Sequence, residues 1–533
     1  MLRSYRSLVG GHPADGVGWV HWVRVGDMLE APYDMAALKA TLDTGEAGPD
    51  ALTHPSLVGR VALSSPGQRR QALAAARAHQ PAWGRVPMAE RVGFVTAFHR
   101  VLRARRHELL DLLVAEGHPV RVARMEIATM LAAVHPRTVT VAAGSMSCDH
   151  RVNGRRIELV RKPDGVVGLI PARNAAAATL VFSAVMTLAA GNAVVVDLPP
   201  SAPLSAAFVC HELIAPLLAG HDRVFSALCA PVREVVPEWL ASPDLDDIYY
   251  FGPSGRGLEL AAECLRHGKK AVLELSANDT VVVWRDARVD LAIRAMLEAF
   301  YASGQICLTP NRAVLHPEIA DEALKGLQRE IERLPVGRPE RPDVILSPVV
   351  RRAEFTEVVV EAVGAGATLV TGGEFVDVHG VPRARGPFIR PALLKVDGLE
   401  QARTLRAARE ETFCPLLTAV IADPPHVADV IAFLNANRYG LRNSLWATDP
   451  AVIAAFATEV RNGGTLKVND SHLGPVPVLP VDGGTGRTGG PDGEANLPML
   501  RTTHLQAIST ATDVPDDLLF DYSSAVADGP PVG

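Results

Sequence analysis

Ala271-Val272-Leu273-Glu274-Leu275-Ser276 and, further along, Gly304-Gln305-Ile306-Cys307 decide how this chain is read. The first is an apolar run interrupted by one carboxylate, the pattern of a buried strand; residues 290 to 301 then read as a helix that delivers Cys307 on the loop beyond it. In a strand, Leu273 and Leu275 point to the face opposite Glu274, so the carboxylate has a face of its own. A thiolate adds to carbonyl carbon, and a carboxylate near it can take a proton from water. Together the two side chains can make a thioester and hydrolyse it. Taken singly, a cysteine is more often a small core residue, so the context has to carry the assignment.

Working outward, composition sets bounds. A chain of 533 residues exceeds one ordinary core and predicts two or three domains. Hydrophobic residues at 48% and charged residues at 21% fit a soluble globular protein. A net charge of −6 gives no electrostatic basis for binding nucleic acid or an anionic membrane. Cys148, Cys210, Cys229, Cys264, Cys307 and Cys414 lack both disulfide-like pairing and metal-ligand spacing. That predicts free thiols, a reducing cytoplasmic setting and no metal centre. The opening Met1-Leu2-Arg3-Ser4-Tyr5-Arg6 lacks the apolar core of a signal peptide. Residues 174 to 196 are free of charge and long enough to span a bilayer, but Gly191-Asn192 divides them into a helix and a β-branched strand, so no membrane span is expected.

Residues 1–52 read as an irregular N-terminal extension. Helices follow over 65 to 83 and 88 to 116. Then short apolar runs alternate with helical stretches: Gly165-Val166-Val167-Gly168-Leu169-Ile170, Ala193-Val194-Val195-Val196, Arg223-Val224-Phe225-Ser226, Asp247-Ile248-Tyr249-Tyr250-Phe251 and Ala271 to Leu275. This alternation predicts a parallel, doubly wound α/β sheet, and a second alternating set over 279 to 469 predicts another α/β domain bearing Cys307. Residues 511–533 belong to an acidic tail rich in Asp.

Leu273-Glu274-Leu275-Ser276-Ala277-Asn278-Asp279, Asp286-Ala287 and Gly304-Gln305-Ile306-Cys307 together resemble the signature region of the aldehyde dehydrogenase superfamily, of the non-acylating type. The resemblance extends over 65 to 510 and includes Glu410-Glu411-Thr412-Phe413-Cys414-Pro415, Gly464-Thr465-Leu466-Lys467-Val468-Asn469-Asp470 and a compressed glycine-rich segment at Gly483 to Gly490. It implies an aldehyde dehydrogenase-like fold. The partition would be a Rossmann-like cofactor domain over 53–274 with arm strands at about 138–160, a catalytic domain over 275–470 and a C-terminal oligomerisation segment over 471–510. It also implies a homodimer or homotetramer, and oxidation of an aldehyde to an acid with NAD or NADP. In that reaction Cys307 is the nucleophile and Glu274 the general base.

For the cofactor, Gly252-Pro253-Ser254-Gly255-Arg256-Gly257 follows a strand and precedes a helix, where free amides suit a pyrophosphate; it also reads as a plain glycine turn. By resemblance Ile170, Pro171, Gly252, Gly257 and Leu275 line the cofactor site, Glu411 holds the nicotinamide ribose and Phe413 abuts the ring. Pro253 stands where the family has Ser and removes an amide donor. Asp197 stands where the family has Lys, with Pro200 in place of a ribose-binding Glu. An Asp there accepts from a ribose diol and repels a 2′-phosphate, which favours NAD.

Attack by sulfur leaves charge on the former carbonyl oxygen, which needs a donor. Ile170-Pro171-Ala172-Arg173-Asn174 resembles the family's Pro-Trp-Asn segment and makes Asn174 that donor, with the Cys307 amide as its partner; Asn174 also reads as a helix cap. Arg173, Ala178, Phe182, Ile306 and Leu308 are the implied substrate pocket. Small residues at 175 to 178 widen it, and Arg173 predicts an anionic or polar aldehyde, unless it is a plain surface residue. Two rival readings remain: a CoA-acylating dehydrogenase, against which Glu274 argues, and a catalytically degraded member serving as a binding or scaffold subunit, suggested by the changes at Asp197, Pro200, Pro253 and Ser183.

Overall fold

The computed structural model describes residues 2–46, 48–152 and 155–511. Five parallel strands form the body of the first sheet, in the order Lys270–Glu274, Asp247–Phe251, Val166–Ile170, Ala193–Leu198 and Phe225–Cys229. The chain winds outward from Val166–Ile170 in one direction, then returns to build Asp247–Phe251 and Lys270–Glu274 on the other side. The switch point therefore lies between Val166–Ile170 and Asp247–Phe251, where a doubly wound sheet opens a crevice at its carboxyl ends. The helix Ala176–Ala190 is buried along its whole length and packs on this sheet with Pro66–Gly84. It makes up most of Arg173–Ala190, the one stretch among the described residues long and apolar enough to cross a bilayer, and that stretch is largely buried in the core. Ser65 starts the helix Pro66–Gly84 with a capping box to Gln68.

The second sheet runs Thr368–Thr371, Ala392–Asp397, Leu416–Ile421, Pro310–Leu315, Asp279–Val283, Arg442–Trp446, Thr465–Val468, all parallel except the first. The chain leaves the first sheet at Glu274 and enters the second at Asp279. The carboxyl ends of one sheet therefore face the amino ends of the other, and the residues at that join come from both.

The N-terminal residues, expected to be irregular, are ordered. Ser7–Val9 and His12–Ala14 extend the first sheet as an antiparallel hairpin beside Phe225–Cys229, and Arg3–Tyr5 pairs with Leu57–Leu63. Isolated runs of three residues carry too little periodicity to be read from sequence. The arm starts later than expected: residues 138 to 144 belong to the helix Pro136–Gly144, and the arm strands are Ser147–Val152 and Arg155–Pro163. Thr503–Ala511 completes this three-stranded sheet. The acidic tail from 512 onward lies outside the described residues.

Candidate active site

The helix expected over 290 to 301 is shorter: Val289–Leu297 is α-helical, and Glu298–Gly304 winds into tighter turns that end in a kink. Ala302, Ser303 and Gly304 have φ of 51°, 57° and 68°. For the two non-glycine residues that left-handed conformation costs roughly 1–3 kcal/mol each and persists only where neighbours enforce it. They do. Ser303 Oγ donates to Ser347 O at 2.6 Å and accepts from Ser347 N at 3.0 Å. Gln305 Nε2 donates to Pro348 O at 2.9 Å, and its Oε1 accepts from Val350 N at 3.0 Å. Sequence reasoning missed these braces, because polar residues near a turn carry no mark of their distant partners. The loop they hold presents Cys307, partly exposed between the partly exposed Ile306 and Leu308. Desolvation pushes its thiol up to about 12, helped by the charges of Glu411, Asp279 and Asp482 and opposed by Arg442. The thiol is neutral in this arrangement.

Asn174 comes from the first sheet's crevice, in the turn Arg173–Ala175 that follows Ile170 and Pro171. Its Nδ2 donates to Gln305 O at 2.9 Å. The helix that follows is capped at Ala175 with no side-chain cap bond, so Asn174 is spent on the cysteine loop and not on the helix end. Ala178 and Phe182 lie buried one and two turns along the same helix, and the Phe182 ring meets Phe251 at 6.2 Å. Arg173 is exposed.

Glu274 is buried, with Leu273 and Leu275 buried on the other face as the alternation requires. Its Oε1 pairs with the guanidinium of Arg501, and its Oε2 accepts from Gly483 N at 2.8 Å. Arg501 also reaches Leu273 O at 3.0 Å and the Tyr249 hydroxyl at 3.3 Å. Tyr249 in turn donates to Asp482 Oδ2 at 3.1 Å. The glycine-rich segment is thus folded against the strand end: Leu275 N donates to Thr488 O at 2.8 Å, and Thr488 Oγ1 donates to Ser276 O at 2.8 Å. Arg501 and Asp482 were not singled out from sequence. The only signal was a lone acid placed directly before the glycines.

A second buried group underlies the join. Asp279 Oδ1 accepts from Arg442 N at 3.0 Å, Arg442 Nη1 donates to His472 O at 2.6 Å, and His472 Nε2 stands 3.5 Å from Asp279 Oδ2. Burial raises the Asp279 carboxyl well above the carboxylate range and lowers His472 well below the imidazole range, so both favour their neutral forms.

The residues of the cofactor crevice fit a dinucleotide. Ile170, Pro171 and Gly252 stand at the switch point, and Gly252 and Gly257 leave no room for side chains. A Cβ on Gly257 would lie 2.1 Å from Leu275 Cδ2, and one on Gly252 2.3 Å from the Tyr250 hydroxyl. The helix Ser254–Arg266 begins directly after Pro253, and its first amide, Ser254 N, donates to Ser276 Oγ at 3.4 Å. Glu411 accepts from Ala277 N at 2.9 Å, and burial raises its carboxyl. Phe413 is covered on one side by the Arg351 guanidinium, 5.5 Å from the ring. Asp197 differs from expectation. It is 1% exposed, its Oδ1 accepts from Ala230 N at 3.1 Å, its Oδ2 has no partner, and burial drives its carboxyl toward the neutral form. It is turned into the sheet, where Ala230 N, at the end of the next strand, draws it in.

A doubly wound parallel sheet whose switch point opens toward a thiol-bearing loop of a second sheet defines a two-sheet α/β protein with a crevice at the join. The comparison with known proteins is specific. A sequence model of the aldehyde dehydrogenase family matches residues 52–500, and the chain belongs to that family, whose members are NAD(P)-dependent oxidoreductases of aldehydes. Vanillin dehydrogenase of Pseudomonas fluorescens is 27% identical over 471 residues, spanning 84% of this chain and 92% of that one. The structure of an NAD-dependent aldehyde dehydrogenase from Sinorhizobium meliloti superposes with a TM-score of 0.80 at 21% identity, covering 97% of this chain and 96% of the other. An NADP-dependent enzyme of E. coli superposes with 0.76 at 21% identity, covering 96% and 98%.

Proposed function

We propose that this protein oxidises an aldehyde to a carboxylic acid with NAD(P) through a covalent intermediate on Cys307. The observation that carries the reading is the bond from Asn174 Nδ2 to Gln305 O, which sets an amide donor from the cofactor crevice beside the nucleophile loop. The Cys307 thiol gives its proton to solvent water as its sulfur bonds to the aldehyde carbon, Asn174 and the Cys307 amide receive the oxyanion, and collapse to the thioester releases a hydride. The dinucleotide, held by Gly252, Gly257, Leu275, Glu411 and Phe413, supplies the hydride acceptor. Water then cleaves the thioester. Glu274 is the carboxylate that resemblance assigns to that water, and it is the reason to prefer acid formation over acyl transfer to CoA; in the arrangement described it is neutralised by Arg501.

NAD is the cofactor supported. Val196-Asp197-Leu198-Pro199-Pro200 offers no cation for a 2′-phosphate, and Arg69, whose charge reaches Asp197, is bound through two nitrogens to Glu238 at 2.7 Å. The six free cysteines support a reducing, cytoplasmic setting, and the exposed arm strand Ser147–Val152 supports a homodimer or homotetramer. The exposed Arg173 beside Asn174 supports a carboxylated or phosphorylated aldehyde.

The test is a panel of neutral, cationic and carboxylated aldehydes with NAD and with NADP, following reduced cofactor and identifying the product with and without CoA. Acid formation that is lost in Cys307→Ser is expected. Arg173→Ala is expected to weaken only the anionic aldehydes, and equal losses across the panel would remove Arg173 from recognition. Absence of reduction with every aldehyde, together with no dinucleotide binding by calorimetry, would leave the scaffold reading.

A further inference from the structure

The helices Met88–Ala115 and Val120–Ala133 double back on one another, and the rings of His99 and His135, 5.5 Å apart, set how they lie side by side. Their outer surface has a character that the chain as a whole lacks. Arg100, Arg103, Arg106, Arg121, Arg124 and Arg137 are all exposed. Over residues 91 to 140 Asp111 is the one exposed carboxylate: Glu116 and Glu126 are buried, and Glu108 pairs with Arg105 at 2.7 Å and with Arg3 at 3.1 Å. None of the six exposed guanidiniums has an ion-pair partner among the described residues, and Arg106 Nη1 donates to Arg103 O at 2.6 Å. The net charge of −6 is a whole-chain sum, and it concealed a local excess of cations.

The six also follow one another along the helix pair. With His99 level with His135 and the chain running back on itself, their order along the axis is Arg137, Arg100, Arg103, Arg106, Arg124, Arg121. At about 1.5 Å per residue, neighbours in this row are roughly 4.5–6 Å apart along the axis, and the row covers about 24 Å. A small anion would engage two of these groups and leave the rest unused, whereas an evenly charged row matches an anion that repeats. The planar guanidinium fork fits the oxygens of phosphate. No large apolar side chain is exposed over residues 91 to 140. The face therefore has nothing to sink into a bilayer and no Trp, Tyr or Phe platform on which unpaired bases would stack. We infer that this face docks the sugar-phosphate backbone of a nucleic-acid duplex, through the phosphates and without reading the bases. The inference is independent of the chemistry at Cys307, and it reverses the expectation drawn from net charge alone. DNA and RNA duplexes share the phosphate chemistry that the row would hold.

The test is fluorescence anisotropy of the full-length protein with a fluorescein-labelled duplex of about 16 base pairs, long enough for the whole row. The duplex is made as DNA and as RNA, each in two unrelated sequences. Micromolar binding at about 50 mM salt is expected, equal for the two sequences. The logarithm of the association constant should fall against the logarithm of salt with a slope near about −5 on DNA, the value for all six arginines on phosphates. Arg100→Glu, Arg103→Glu and Arg106→Glu together are expected to weaken binding at least about thirtyfold and to flatten the slope by about 3. These side chains are exposed and outside the catalytic and cofactor residues, so the melting temperature is expected to match wild type. Arg121→Gln with Arg124→Gln, on the other helix, is expected to flatten the slope by about 2 and serves as the readout should the first variant unfold. No binding to either duplex at about 50 mM salt, or equal binding by wild type and both variants, would overturn the assignment. Tighter binding to phosphatidylserine vesicles than to either duplex would overturn it as well, and give the face to a membrane. Binding confined to DNA or to RNA would uphold the face and identify its source.

Discussion

Asn174 and Gln305, 2.9 Å apart from amide to carbonyl, tie the first sheet's crevice to the loop of the second sheet that carries Cys307. One hydrogen bond thus sets the Asn174 side chain against the loop that carries Cys307 before any substrate arrives.

Asn174→Ala removes that donor. Loss of a single preorganised oxyanion donor typically lowers kcat by roughly a hundredfold to a thousandfold. The expected result is a fall of that size in kcat with little change in KM, measured on the best aldehyde of the panel. A rise in KM alone would show that Asn174 only shapes the pocket.

The Cys307 thiol should be slow to alkylate. With the thiol pushed up to about 12 by desolvation, then by Glu411, Asp279 and Asp482, only the neutral form is populated at pH 7, and the thiolate fraction grows tenfold with each pH unit up to that value. Iodoacetamide labelling of Cys307, read by peptide mass spectrometry without cofactor, should keep climbing from pH 7 to pH 9 by about tenfold per unit. A plateau below pH 8 would mean that the charges around the sulfur are not as described.

Arg501→Met leaves Glu274 buried without its cation, which should destabilise the protein by about 3–5 kcal/mol. Adding Glu274→Gln should recover part of that loss, because the two side chains are coupled and their effects do not add. Urea unfolding of the single and double variants measures the coupling, and simple additivity would contradict the ion pair.

Gly304→Ala places a Cβ 2.3 Å from Cys414 O at a backbone φ of +68°. The residue can neither adopt the conformation cheaply nor fit beside that carbonyl, so the loop must shift. A lower melting temperature together with loss of Cys307 acylation by p-nitrophenyl acetate is expected, since the sulfur moves with the loop.

Much of the fold was legible because its strands are buried on both faces and read as unbroken apolar runs, as at Val166–Ile170 and Ala193–Leu198. The N-terminal strands were not, since three residues such as Ser7–Val9 form a strand only when Phe225–Cys229 is present to pair with them. At the candidate site, Cys307, Glu274 and Asn174 were singled out through the motifs around them. Asp482 and Arg501 were not, because their partners, Tyr249 and Glu274, lie far away in sequence and a lone charge names no partner. Asp197 was found but misjudged: sequence shows a carboxylate at a strand end, not the Ala230 amide that draws it inward.

Without the hairpin of Ser7–Val9 and His12–Ala14, the strand Phe225–Cys229 would be the rim of the first sheet, offering its outer row of N–H and C=O groups to any passing chain. Leu8 sits opposite Ala227, and Gly11 N reaches Phe225 O at 2.9 Å. The opening residues therefore act as a seal. Proteolysis or a fusion that pulls them away would leave the catalytic groups untouched and be felt first as clumping of otherwise intact protein.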